Sequence, residues 1–142
     1  MTAEGAALAA IVVLLFPMGY FLLASPAFLL VRLDVPQVAQ LLRGIFSIHF
    51  AAVSVAGVIG TVAFAIAGHP LLAIGVGVIA ALAFWERGWF LRRWDAQLDA
   101  EGAADTAAAR RLRRLHWSGM ASNAIQLAAV VACIPYIAVA PS

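Results

Sequence analysis

Lysine is absent from this chain, which takes all nine of its basic residues from arginine, and cysteine occurs once, at Cys133. A single cysteine excludes an intrachain disulfide framework and any cysteine-built zinc site. Charge is scarce: 11% of residues are charged and 65% hydrophobic, against roughly 25% and 45–50% in soluble domains. A fold in water cannot hide that much apolar surface. The length of 142 residues fits one domain, which leaves no room for a separate soluble catalytic module. Arginine without lysine, together with abundant alanine, points to a GC-rich bacterial genome. The net charge of +2 does not indicate nucleic-acid binding, because the arginines gather where apolar segments end.

The apolar residues form four segments, at about 7–31, 45–67, 70–90 and 115–138. Each is near the roughly 20 residues that cross a hydrocarbon core about 30 Å thick. The expected fold is all-α: an integral membrane four-helix bundle with antiparallel up-down connectivity, in one domain. The first segment is read as a retained helix and not a secretory signal, because Glu4 replaces the usual basic leader and the apolar run is too long. Pro17 and Pro26 interrupt it, which removes backbone hydrogen bonds and requires partners from neighbouring helices. Gly68, His69 and Pro70 form a short hinge that makes the second and third helices antiparallel neighbours.

Arginine placement sets the expected orientation. Arg32 and Arg43 flank the first connection, while Arg87, Arg92, Arg93, Arg110, Arg111, Arg113 and Arg114 line the third; the termini and the Gly68 hinge carry none. By the positive-inside rule both arginine-bearing connections face the cytoplasm and both termini lie on the periplasmic side of a bacterial inner membrane. The third connection, about 91–114, reads as a cytoplasmic hairpin: acidic first (Asp95, Asp99, Glu101, Asp105), then basic, with Gly102 breaking two short helical extensions. Its arginines Arg110, Arg111, Arg113 and Arg114 are placed against anionic lipid headgroups or a soluble partner. Trp85, Trp89 and Trp94 read as an interfacial aromatic belt touching the same headgroups.

Inside lipid, helices associate through close packing of small residues and through interhelical hydrogen bonds. Small residues recur four apart at Ala52, Ala56 and Gly60, at Ala73, Gly77 and Ala81, and at Ala124, Ala128 and Ala132. These read as packing seams within the bundle or between copies. The polar residues in apolar surroundings are Ser47, His49 and Ser54 in the second helix, Glu86 and Arg87 in the third, and His116, Ser118, Ser122, Asn123 and Gln126 in the fourth. All fall toward the arginine-bearing end. Asn123 and Gln126 read as ties between helices. Adjacent Glu86 and Arg87 point about 100° apart, so each is expected to pair elsewhere, Glu86 with His49, His116 or Arg43. A carboxylate beside a histidine is also suited to proton relay or cation binding. His49 and His116, on different helices, are candidate axial ligands for haem b or ligands for copper, with Met18 or Met120 as soft additions.

The run Arg114-Leu115-His116-Trp117-Ser118 followed by Asn123 resembles the small four-helix membrane proteins called transmembrane protein 205-like, a family of unassigned biochemical function. Ala27-Phe28-Leu29-Leu30, Phe46-Ser47-Ile48-His49-Phe50 and the arginine-and-tryptophan end of the third helix extend the resemblance over most of the chain. It implies a four-helix bundle with a histidine in helix two and a His-x-x-Ser-x-x-x-Asn start to helix four, matched here by His49, His116 and Asn123. The serine of that pattern is not matched: Gly119 stands there, and Ser118 lies on another face. The similar copper-resistance D and haem-biosynthesis J families carry a histidine in the first helix that this chain lacks.

The expected function is a non-enzymatic scaffold or accessory subunit of a larger membrane complex, with lipid and other membrane subunits or further copies as partners and no cofactor. One rival is a haem- or copper-binding redox protein using His49 and His116. Another is a small proton-coupled transporter using Glu86.

Overall fold

A computed structural model describes residues 2–28, 30, 33, 35–99 and 106–138. Among them are four helices and no strand: α1 (Ala3–Phe28), α2 (Pro36–Ile66), α3 (Pro70–Asp99) and α4 (Thr106–Ala138). Each is long and apolar enough to cross a membrane. Every helix packs on its chain neighbours, and α4 closes the ring against α1, giving an antiparallel four-helix bundle.

The helix ends follow local chemistry. Thr2 caps α1, its hydroxyl accepting from the Gly5 amide at 3.2 Å. Val35 is extended (φ −95°, ψ 115°), as a residue before proline prefers, and Pro36 opens α2 with its φ already set. At the far end of α2, His69 N donates to Phe64 O at 2.9 Å and Gly68 N to Ala65 O at 3.2 Å. Gly68 takes the left-handed φ of 78° that this closure needs. Pro70 then starts α3 at once, so the expected hinge and the antiparallel α2–α3 pair are both present.

Three helices run further than hydropathy indicates. α2 begins at Pro36 and not near 45, α3 continues to Asp99 and not 90, and α4 begins at Thr106 and not 115. Hydropathy finds the lipid-crossing portion, but a helix persists into water wherever alanine, leucine, glutamine and arginine keep favouring it. The 91–114 hairpin is therefore mostly two helical extensions. Arg32, Glu101, Gly102 and Asp105 lie outside the described residues.

Burial follows a 3.5-residue repeat on every helix. The buried positions run Ala7, Ile11, Leu14, Met18, Phe21 and Ser25 on α1; Ala39, Leu42, Phe46, His49, Val53, Ala56 and Gly60 on α2; and Ala73, Val76, Ala80, Ala83, Phe90 and Trp94 on α3. On α4 they are Leu112, His116, Met120, Asn123, Gln126 and Val130. Alternating steps of three and four residues are the signature of the left-handed packing of most membrane bundles. The core has two parts. Small and aliphatic side chains such as Ala7, Leu14, Val53, Ala73 and Val130 fill the half near the Gly68 hinge. Phe21, Phe46, Phe50, Phe90 and Trp94 fill the arginine-bearing half.

The α2–α3 seam is the closest contact. A Cβ built on Gly57 would stand 2.7 Å from the Ala80 Cβ, and one on Gly60 would stand 3.1 Å from Val76 Cγ1. The seam is thus formed by Gly57 against Ala80 and Gly60 against Val76. Of the expected stripes, Ala52 and Gly77 are only partly buried, and Ala81, Ala128 and Ala132 face outward. Gly57→Ala should therefore cost about 1–3 kcal/mol of bundle stability. Gly44→Ala, where a Cβ meets nothing within 4 Å, should be neutral or gain up to about 1 kcal/mol. Reversible unfolding of both variants in mixed micelles measures the contrast.

Candidate functional site

α1 ends at Phe28, so its last carbonyls have no partner within the helix, and Pro26 adds a further break. α4 supplies a bond in this last turn. His116 Nε2 lies 3.2 Å from Ser25 O and 3.1 Å from Ser25 Oγ. A carbonyl only accepts, so the neutral ring with its hydrogen on Nε2 serves both contacts. Two turns further along, Asn123 Nδ2 donates to Met18 O at 3.0 Å, next to the other interruption at Pro17. His49 of α2 lies beside the Pro17 carbonyl and the Asn123 side chain. Two buried polar atoms of this region, His116 Nδ1 and Asn123 Oδ1, have no hydrogen-bond partner among the described residues.

The two imidazoles are linked by benzene rings. Phe46 meets His116 edge-on, with centroids 5.3 Å apart, and packs against Phe21 at 4.9 Å. Phe21 in turn stacks on His49 at 4.0 Å. A haem or copper ion shared by both histidines would have to displace these rings. Among the described residues no three of His, Cys, Asp and Glu converge in a way that could hold a metal ion. Phe46 also explains position 119: a Cβ there would come within 2.5 Å of Phe46 Cε1, so glycine is what lets α4 approach the ring.

Glu86 and Arg87 separate, as their adjacency requires, but their partners differ from those expected. Both carboxylate oxygens of Glu86 are taken by α4: Ser122 donates to Oε1 in a short contact, and Gln126 Nε2 donates to Oε2 at 3.1 Å. Gln126 also reaches Ser122 Oγ at 3.2 Å. Arg87 crosses to α2, where Nη2 donates to Ser47 Oγ at 3.1 Å and Nε to Ser47 O at 3.3 Å. Arg43 is claimed by Asp95, through a close Nε–Oδ1 contact and an Nη2–Oδ2 bond of 2.7 Å. Asp95 is five residues beyond the expected end of the third helix, and only the α3 extension brings it opposite Arg43.

The polar residues singled out from sequence therefore form several ties and not one cluster. Ser118 faces outward and joins none of them. Ser54 donates back to Phe50 O within its own helix. Ser25, the partner of His116, is not among the polar residues that hydropathy singles out, although its place on the 3.5-residue stripe of α1 marks it. The aromatic belt also needs correction. Trp85 is 62% exposed, but Trp94 is 0% exposed and its indole N–H donates to Ala39 O at 3.1 Å. Trp94 is a core residue, because Ala39 and Phe46 of the extended α2 cover it. Trp89 is partly buried and carries the Arg93 guanidinium 4.7 Å from its ring centroid.

Among the described residues three apolar grooves open on the outer surface, one of them, of about 380 Å³, between α2 and α3 beside Val58, Thr61 and Phe84. Another, of about 510 Å³ between α1 and α2, is lined by Phe16, Tyr20, Phe21, Ile48 and others, with His49 at its inner wall. The third, of about 410 Å³ between α3 and α4, reaches Gln126 and Cys133. No family model, curated protein or solved structure matches the chain.

The α4 ties lead to a graded expectation. His116→Ala and Asn123→Ala should each lower bundle stability by about 0.5–2 kcal/mol, the range of interhelical hydrogen bonds in membranes. Ser118→Ala should change it by less than about 0.5 kcal/mol. Unfolding midpoints of the three variants in the same micelles provide the comparison.

Proposed function

We propose that this protein is a non-catalytic scaffold or accessory subunit of a larger complex in the bacterial inner membrane, with both termini on the periplasmic side. The observation that carries this reading is the use to which the intramembrane polar groups are put. His116, Asn123, Glu86, Gln126, Arg87 and Ser47 all bind other helices of the bundle. Such groups in an enzyme or carrier converge on a cavity that receives substrate. Here the three grooves between helices are almost wholly apolar, and Glu86 has both oxygens occupied, which favours neither transport nor redox chemistry over a structural role. The resemblance to the transmembrane protein 205-like family, through His49, His116 and Asn123, agrees with a small helical bundle and assigns no reaction.

The outer faces are suited to contact with other membrane segments. α4 presents Ala128 and Ala132 beside Ile125 and Val131, small residues that let another helix come close. A photo-crosslinking residue at position 128 or 132, activated in native membranes, should give one discrete adduct with another polypeptide. Adducts with lipid alone would overturn the reading, as would a haem Soret band in the purified protein.

Orientation is tested separately. Alkaline phosphatase fused after the C-terminus should be active, and the same enzyme inserted within residues 100–105 should be inactive, since it folds only on the periplasmic side. The reverse pattern would invert the topology.

A further inference from the structure

Where α3 and α4 run past the apolar core, they face each other across a cleft of about 250 Å³ lined by Arg93, Gln97, Arg111, Arg114 and Leu115. Arg93 and Gln97 are one turn apart on α3; Arg111, Arg114 and Leu115 share one face of α4. The cleft is therefore built by two helical faces. Three guanidinium groups border it. Arg93 is held over the Trp89 ring, and Arg111 Nη1 is 3.5 Å from Gln97 Oε1, so two of the three are positioned from below or across.

Guanidinium forks match the paired oxygens of a phosphoryl group, and three of them face this one cleft from two helices. Depth agrees with that ligand. Arg93 lies one turn beyond Trp89 and two beyond the exposed Trp85, whose rings mark a headgroup level. Leu115 gives the cleft an apolar wall on its inner side, toward the acyl region.

We propose that this cleft is a phosphoryl-binding site, whose ligand is the phosphodiester of an anionic membrane lipid or the phosphate of a soluble metabolite. The proposal does not depend on the scaffold reading. Phosphatidylglycerol titrated into the detergent-solubilised full chain, with bound lipid counted by native mass spectrometry, should show saturable binding that phosphatidylcholine does not.

Removing two arginines with Arg111→Gln/Arg114→Gln should weaken that binding about thirtyfold, and Arg93→Gln, on the opposite helix, about fivefold. The Arg93 variant keeps the test decisive if the double variant fails to fold. A control, Arg92→Gln/Arg110→Gln, removes the same charge outside the cleft and should change affinity less than about threefold. Equal losses in the control and cleft variants would overturn the proposal in favour of diffuse charge. Glycerol phosphate or pyrophosphate bound without lipid selectivity, and lost in the cleft variants, would assign the site to a soluble ligand. Binding of neither lipid nor soluble phosphate would overturn it.

Discussion

Hydrocarbon provides no hydrogen bonds, so each backbone group that a helix leaves open must be met by another part of the protein. α1 leaves such groups at both of its internal prolines and at its C-terminal turn. Close to these places α4, the helix furthest from α1 in sequence and the one that closes the ring, brings His116 to Ser25 O in the last turn and Asn123 to Met18 O beside Pro17. The interruptions in α1 and the polar residues of α4 thus specify each other. An apolar helix could pack on α1 in many rotations, but only one places an imidazole at Ser25 and an amide at Met18. These bonds are modest in energy and strong in specification.

The remaining contacts divide the work by size. At the hinge end, glycine and alanine bring the α2 and α3 backbones so close that one methyl group would be too many. At the other end the helices are held apart by stacked rings, Phe46 on Phe90 at 4.3 Å and Phe90 on Trp94 at 5.2 Å. Phe46 is the central member of that stack. It touches rings from α1, α3 and α4, and the glycine at 119 gives it the space to do so. Beyond it, the Arg43–Asp95 pair ties α2 to α3 where water reaches the bundle, and its partly exposed position gives it less weight than the packing beneath.

Much of this was legible in the sequence because lipid inverts the usual signal. In water, apolar residues mark the interior; in a bilayer nearly every residue is apolar, and the polar exceptions mark it. His116, Asn123 and Gln126 were therefore identifiable as inward-facing, and the Gly68 hinge and the number of crossings followed from turn chemistry and hydropathy. Partner choice was not legible. Glu86 was expected to meet a cation and instead meets Ser122 and Gln126, because which faces oppose each other depends on helix rotation, which spacing alone does not fix. The extent of the helices was also hidden, since hydropathy stops at the membrane while hydrogen bonding continues. Trp94 was misplaced for that reason: counted from the apolar end of α3 it belongs at the interface, but the extended α2 encloses it.

Mean hydropathy over the most apolar window falls along the chain, from 2.4 in α1 through 1.9 and 1.6 to 1.4 in α4. The order in which the helices leave the ribosome is thus also the order of their willingness to enter lipid alone. α4 carries much of the polar load, and Ser25, Met18 and Glu86, which bond its His116, Asn123, Ser122 and Gln126, belong to α1 and α3, both synthesised earlier. For the fourth helix, crossing the membrane and docking into the bundle are one energetic event: its entry is favoured by a receptive surface already in place. The surface that receives the last helix is in that sense composed by helices that precede it along the chain.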